Sequence, residues 1–193
     1  ALLTMAAHAE GRPFSTIDQF GMAQKGGAVM SHVRIAASED ALGPARLSTG
    51  SADLVLGCDS LVTSSDAALA VIDPDRTHVL VNAHQAITGQ FALNPDLTFP
   101  ASAIEKRIKA ETGAGKAEFV DASKLATSLM GDSIMSNLFM LGFAYQKGLI
   151  PVSAPALMKA IELNGLAIDA NKAAFDWGRR AAFNMAAVLE MIG

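Results

Sequence analysis

Cysteine is almost absent from this sequence. Cys58 is the single cysteine among 193 residues. One thiol cannot form an internal disulfide, and an iron–sulfur cluster usually takes four cysteine ligands. The composition therefore excludes a disulfide framework and a conventional cluster held by this chain alone. It favours a reducing, cytoplasmic setting.

Long basic runs and long apolar runs are missing as well. The net charge is −4 and no run of Lys or Arg occurs, whereas a nucleic-acid-binding protein shows a basic stripe. No apolar stretch reaches the roughly 18 residues of a membrane helix. The most apolar segment, 134–150, contains Asn137, Gln146 and Lys147 and predicts a buried helix. We expect no nucleic-acid partner, no membrane span and no signal peptide.

Charged residues are scarce. They make up 18% of the chain, against about a quarter in an average globular domain, while 51% of the residues are hydrophobic. The deficit is typical of a domain with a large interface to a partner, and equally of a compact, alanine-rich domain. The length fits one domain.

The signatures of several common sites do not occur. There is no GxGxxG, no GxxxxGK[ST] and no GxSxG, and the four histidines do not share a metal-ligand spacing. The segment 131–133 is close to the Gly-Asp-Gly of thiamine-diphosphate enzymes, but Ser133 replaces the second glycine. Asp132 is better explained as a helix N-cap. We therefore assign no catalytic residue and no metal ligand to this chain.

Strands and helices are predicted to alternate through the first two thirds of the chain. Short apolar runs, typical of buried parallel strands, are separated by amphipathic segments. The predicted strands are 14–18, 28–37, 54–58, 78–82 and 117–120. The predicted helices are 1–10, 64–72, 100–112, 122–130, 132–147, 154–163 and 167–192. This order predicts an α/β fold, three-layer αβα, with a mostly parallel sheet and a helical C-terminal third.

One glycine-rich loop stands out before the second predicted strand. It reads Gln24, Lys25, Gly26 and Gly27. Adjacent glycines let a backbone approach a ligand closely, successive N–H groups can form an anion nest, and Lys25 adds positive charge. A plain tight turn before the strand explains the same residues.

Polar residues also follow two of the predicted strands. Ligands of α/β sheets bind at the carboxyl ends of the strands, so the loops after 54–58 and 78–82 are well placed. They contain Asp59, Ser60, Ser64, Asn82, His84 and Thr88. The polar segment 48–53 precedes a strand and is a weaker candidate.

Taken in order, these segments resemble the gamma domain of the 2-oxoacid:ferredoxin oxidoreductases, with indolepyruvate ferredoxin oxidoreductase as the closest relative. The matching segments are 18–19, 24–27, 31–34, 49–59, 131–132, 141–142, 148–151, 161–165 and 178–179. Members of this family begin with a strand and a glycine-rich turn, whereas this chain begins inside a helix with no capping residue. We therefore expect residues 1–193 to be a single gamma-type domain that lacks its first strand and that turn.

The resemblance implies a function for the whole enzyme. Such an enzyme oxidatively decarboxylates an aryl-2-oxo acid, such as indolepyruvate, to an acyl-CoA. Thiamine diphosphate and iron–sulfur clusters do the chemistry in partner domains or subunits of the thiamine-binding and ferredoxin-like kinds, and ferredoxin accepts the electrons. The gamma domain supports assembly and the approach of coenzyme A, for which the resemblance implies contacts from Gln24, Lys25, Gly26 and Gly27. Alone, this chain is expected to be inactive and to bind no cofactor.

Two other interpretations stay open. A βαβ unit with a glycine loop also fits a free-standing, Rossmann-like module that binds a small molecule without catalysis. A purely structural interaction domain is the third interpretation. In isolation, an apolar interface without its partner would promote homo-oligomers.

Overall fold

The computed structural model describes residues 1–20, 28–85 and 99–193. The strands are β1 (Phe14–Phe20), β2 (Val29–Ile35), β3 (Leu54–Gly57), β4 (His78–Asn82) and β5 (Ala117–Val120). The helices are α1 (Leu2–Ala9), α2 (Ser60–Thr63), α3 (Asp66–Leu69), α4 (Ala101–Glu111), α5 (Ala122–Met130), α6 (Ser136–Gln146), α7 (Ala154–Asn164), α8 (Ile168–Phe183) and α9 (Met185–Ile192). Single 3-10 turns lie at Glu39–Ala41 and Ser133–Met135.

A parallel sheet forms the centre of the fold. Its order is β3-β4-β5, with β4 in the middle and β3 at one edge. Because side chains alternate along a strand, Leu80 faces one side of the sheet while Val79 and Val81 face the other. Both faces are covered by helices, as parallel sheets require. The predicted α/β class with three layers is confirmed.

The two covering layers differ in size. On one side Ile104 and Ile108 of α4 pack with Val79 and Val81, together with residues at the end of α3. On the other side α1 and the C-terminal helices build the larger core around Leu80. Among the described residues, no helix is both long and apolar enough to cross a membrane.

Helices α6 and α8 pack with their backbones in contact. A Cβ added to Gly142 would lie 2.0 Å from the Phe175 carbonyl oxygen, and one added to Gly178 would lie 1.9 Å from that of Phe139. Both phenylalanines are fully buried. Glycine is therefore required on both sides of this crossing.

A two-stranded antiparallel ribbon, β1–β2, stands apart from the sheet. Its register runs from Phe14 opposite Ile35 to Phe20 opposite Val29. Both strands were predicted, but their pairing was not, because a local apolar pattern does not name a strand's partner. Among the described strands, β1 and β2 pair only with each other.

Capping residues explain where the helices begin and end. Asp121 accepts a hydrogen bond from Lys124 N at 2.9 Å and starts α5 where predicted. The predicted helix 64–72 is wrong in its bounds: the structure has α2 at Ser60–Thr63, capped by Asp59, and α3 at Asp66–Leu69, capped by Ser65. The predicted helix 167–192 is broken at Asn184, whose side chain accepts a hydrogen bond from Ala187 N at 3.1 Å and starts α9. Asn competes with the helical backbone for such bonds, which is why it favours helix starts.

Candidate ligand-binding site

A cleft of about 490 Å³ lies between the ribbon and the edge strand β3. Its wall is mostly apolar, and among the side chains that line it are His32, Cys58, Asp59 and Thr63. Small-molecule sites typically enclose about 300–1,000 Å³ with a few polar groups in an apolar wall. The cleft runs along β3 and reaches the loop after the strand, where the sequence predicted a binding region.

Asp59 has a structural task at this end of the cleft. Its carboxylate accepts hydrogen bonds from Leu61 N at 2.8 Å and Val62 N at 3.1 Å and so caps α2. The strand and this helix are tightly joined, since a Cβ on Gly57 would lie 2.2 Å from Thr63 Oγ1. Asp59 therefore fixes the start of α2 directly after β3, at one end of the cleft.

Cys58 lies between Gly57 and the cap. The residue is exposed, yet partial burial of its thiol raises the pKa, and the neighbouring charge of Asp59 acts in the same direction. A raised pKa keeps the group as the thiol, which is the less nucleophilic form. Cys58 is therefore a wall residue of the cleft and not an activated nucleophile.

Asn82 joins the carboxyl end of the sheet to α5. It is 4% exposed, and its Nδ2 donates to Ser123 Oγ at 2.9 Å and to Cys58 O at 3.4 Å. Its Oδ1 accepts from Ala122 N at 3.1 Å and from His84 N at 3.2 Å. These four bonds use the whole capacity of the amide, so Asn82 is a structural tie.

The remaining predicted residues fall into three places. His84 Nδ1 lies 3.4 Å from Asp121 Oδ1 in a partly exposed pair beside Asn82. Ser60 is buried, and Ser64 Oγ donates to Leu61 O at 2.9 Å. Outside the described residues are Thr88 and the loop Gln24, Lys25, Gly26 and Gly27.

The segment 48–53 lies at the opposite end of β3. Arg76 Nη2 donates to Gly50 O at 2.9 Å, and Thr77 Oγ1 donates to Ala52 O at 2.6 Å. These bonds fasten the segment to the turn before β4. Its polar residues therefore serve the chain reversal at the amino end of the strand.

His32 lies in a segment whose sequence was matched to the family, but no site role was assigned to it. It is 3% exposed, and its Nδ1 accepts a hydrogen bond from Leu47 N at 2.9 Å. Burial lowers its pKa, and the nearby guanidinium groups of Arg46 and Arg34 lower it further. The imidazole is therefore neutral with its proton on Nε2, a donor in the wall of the cleft. The local sequence shows a histidine in a predicted strand, whereas the segment that covers it comes from a loop later in the chain.

The described residues do not fit a metal or a thiamine cofactor. No group of three or more His, Cys, Asp and Glu side chains converges within 1–20, 28–85 and 99–193. Asp132, in the segment similar to a thiamine motif, accepts a hydrogen bond from Ile134 N at 2.9 Å and caps a 3-10 turn. The chain has one cysteine, where a cluster usually takes four.

Fold and site together define an α/β domain with a ligand-sized cleft beside the edge of a parallel sheet. The family described as pyruvate ferredoxin/flavodoxin oxidoreductase matches residues 1–181. This chain belongs to that family, whose members are oxidoreductases that act with ferredoxin or flavodoxin. The resemblance inferred from the sequence is thereby confirmed for the family as a whole.

Two solved structures are similar over most of their length. The pyruvate oxidoreductase subunit PORC from Thermotoga maritima is 26% identical, with 93% of this chain and 85% of that chain covered at a TM-score of 0.59. The gamma subunit of a keto/oxoacid ferredoxin oxidoreductase from Geobacter sulfurreducens is 19% identical, with 94% and 88% covered at a TM-score of 0.61. The second likeness concerns the fold alone. Among curated proteins, no significant match is found.

Proposed function

We propose that this chain is the gamma domain or subunit of a 2-oxoacid:ferredoxin oxidoreductase. The observation that carries the proposal is the family match over residues 1–181. Similarity to the Thermotoga maritima subunit over 93% of this chain supports it. In this role residues 1–193 act as a single gamma-type domain inside a cytoplasmic complex.

The substrate in this proposal is an aryl-2-oxo acid such as indolepyruvate, converted to an acyl-CoA. Support comes from the sequence resemblance as a whole, which points to the indolepyruvate-type members of the family. Thiamine diphosphate and iron–sulfur clusters belong to the partner domains in this scheme, and ferredoxin accepts the electrons. The cysteine content of this chain supports the placement of the clusters in partner domains, since one cysteine cannot ligate a conventional iron–sulfur cluster.

Reconstitution with the partner subunits tests the proposal. The complex is expected to reduce ferredoxin when a 2-oxo acid and coenzyme A are both present, with indolepyruvate preferred over pyruvate. The isolated chain is expected not to reduce ferredoxin with either substrate. Turnover by the isolated chain would contradict the proposal that the cofactors belong to partner domains. A preference of the complex for pyruvate would contradict the aryl substrate but not the role as a gamma domain or subunit.

The contact with coenzyme A is assigned to Gln24, Lys25, Gly26 and Gly27. The support is the family resemblance of this loop, together with the affinity of lysine and backbone N–H groups for phosphate. In the reconstituted complex, Lys25→Glu is expected to raise the KM for coenzyme A about tenfold, the ratio of one lost charged contact. Lys106→Glu, which reverses an exposed charge on α4, is the matched control. Unchanged coenzyme A kinetics in the Lys25 variant would remove the assignment.

The cleft supports a second candidate function, the binding of a small molecule without catalysis. A free-standing module that binds a small molecule without catalysis would use the same apolar cavity of about 490 Å³. A thermal-shift series with coenzyme A, nucleotides and 2-oxo acids separates the two functions. Stabilisation by one of these ligands, combined with no binding to the partner subunits, would favour the module.

A further inference from the structure

Three buried polar atoms on one face of the ribbon have no hydrogen-bond partner. They are Ser15 Oγ, His32 Nε2 and Arg34 Nε, and within the described ranges no other buried side-chain nitrogen or oxygen is unpaired. Ser15 lies directly opposite Arg34 in the strand register, and His32 is two residues from Arg34 on β2. Opposite residues share a face, as do alternate residues of one strand, so the three side chains form one cluster of neighbours on one face of the ribbon.

All three groups can donate a hydrogen bond. Arg34 Nε is a donor only, and a serine hydroxyl donates or accepts. His32 Nδ1 already accepts the bond from Leu47 N, so the remaining ring nitrogen of the neutral side chain carries the proton. Buried polar groups are almost always paired, and an unpaired set calls for an explanation such as an absent ion or water. A set of donors calls for an acceptor.

The charge around the cluster is positive and uncompensated. Arg34 and Arg46 both act on His32, and neither forms an ion pair with a described residue. The acidic residue of the ribbon, Asp18, lies on the opposite face, where Ser31 Oγ donates to it at 2.6 Å. Two guanidinium groups without a carboxylate are the usual composition of a site for carboxylate or phosphate.

The chain that follows β2 folds back over this face. The bond from Leu47 N to His32 brings it down onto the ribbon, and Gly43 lies beside the Arg34 guanidinium. Arg46 is exposed, whereas Arg34 is partly exposed as a residue and its Nε is buried. A ligand that approaches from solvent therefore meets Arg46 first, with the buried donors of Ser15, His32 and Arg34 behind it.

We propose that this face, formed by Ser15, His32, Arg34 and Arg46, binds a small oxyanion, a carboxylate or phosphoryl group. The two guanidinium groups hold its charge, and the serine hydroxyl and the imidazole N–H donate hydrogen bonds to its oxygens. The site uses none of residues 24–27. It does not depend on the proposed function.

Calorimetric titration of the full 193-residue chain tests the site. Inorganic phosphate and succinate are titrated separately at constant ionic strength, with chloride as the reference anion. We expect one of the two to bind more tightly than chloride: phosphate alone identifies a phosphoryl ligand, and succinate alone a carboxylate. Failure of both to bind better than chloride would overturn the proposal.

Variants locate the binding. Arg46→Gln is expected to raise the dissociation constant about tenfold, and because Arg46 is exposed this change does not threaten folding. Arg34→Gln is expected to do at least as much. The matched control is Arg107→Gln, since Arg107 lies on α4 and pairs with Asp66, and neither residue belongs to the proposed site. Equal loss in the control, or wild-type affinity in Arg46→Gln, would contradict the site.

A spectroscopic readout reports on His32 directly. Addition of the bound anion is expected to shift the His32 Nε2 resonance in the wild-type chain and to leave it in place in Arg46→Gln at the same anion concentration. A His32 resonance that ignores the anion while calorimetry shows binding would place the anion elsewhere and overturn the proposal.

Discussion

At the scale of residues, Asn82 connects the carboxyl end of the parallel sheet to the segments around it. Asn82 is buried and satisfies four partners from three neighbouring segments. Each bond contributes modestly, but a donor or acceptor left unpaired in the interior costs about 1–3 kcal/mol. The position therefore tolerates few substitutions.

Asn82→Ala is expected to lower the free energy of unfolding by about 3 kcal/mol, since the Ala122 N–H and the Ser123 hydroxyl lose their partner in the interior. Urea unfolding of the full chain measures the change. Asn164→Ala, at an exposed position, is the matched control and is expected to stay within about 0.5 kcal/mol. A loss below about 1 kcal/mol at Asn82 would contradict its role as a tie.

His32 makes stability depend on pH. Its pKa in the folded chain lies below the ordinary value of 6.5, because of burial and the charges of Arg46 and Arg34. The unfolded chain therefore binds more protons just below 6.5, and the stabilising contribution is complete above that value and is lost as the pH falls through the folded pKa. His32→Gln is expected to reduce this loss of stability in urea unfolding between about pH 5 and 7.5. An unchanged pH dependence in that variant would contradict the effect.

At the scale of elements, the crossing of α6 and α8 is the most constrained contact. Gly178→Ala is expected to lower the free energy of unfolding by about 2 kcal/mol, because the added methyl group meets the Phe139 carbonyl of a packed helix. Ala173→Ser, which adds one atom on the exposed side of α8, is the control. Thermal and urea unfolding of both variants make the comparison. A Gly178 variant as stable as the wild type would show that the helices can separate there.

The positions of strands and helices along the chain were easier to predict from the sequence than the elements against which they pack or pair. The bounds of α5 and the three parallel strands follow from local signals: an apolar run, an aspartate cap and a glycine after the last turn. The pairing of β1 with β2 is non-local, so nothing near Ser15 indicates that it faces Arg34. The split at Asn184 was missed because a strongly helical pattern continues on both sides of the cap.

In the candidate site, too, features set by local sequence were predictable and features set by distant segments were not. The loop after β3 was placed correctly at the end of a strand, since that rule concerns the order of elements along the chain. The role of Asp59 as a cap depends on the short helix that follows, and the cleft itself depends on where the ribbon packs. The lowered pKa of His32 depends first on its burial and then on Arg46 and Arg34, which lie in different segments.

At the scale of the whole molecule, large apolar side chains remain in solvent. Phe183 is 81% exposed and Met191 is 66% exposed near the end of the helical third. Exposed apolar groups of this kind are typical of a surface that a partner covers. Together with the low charge content, they favour an interface over the alternative of a merely compact domain.

The isolated chain is accordingly expected to self-associate. Phe183→Asp combined with Met191→Asp is expected to weaken self-association at least tenfold in sedimentation velocity, since both changes put charge into the apolar surface. Ala173→Asp, an exposed position on α8, is the control. A wild-type chain that stays monomeric at all concentrations would contradict this prediction.

The packing of α1 has a consequence for the order in which the chain matures on the ribosome. Ala6 and Ala7 are fully buried, and α1 packs against α7, while Ser153 N donates to Glu10 Oε1 at 2.8 Å across the junction. These contacts join residues more than a hundred positions apart. Because α7 is synthesised long after α1, the buried face of α1 stays without this packing partner during most of translation. The parallel sheet is complete before α7 is made. A nascent chain that ends before residue 150 therefore exposes the apolar face of α1 to chaperones until translation reaches the helical third.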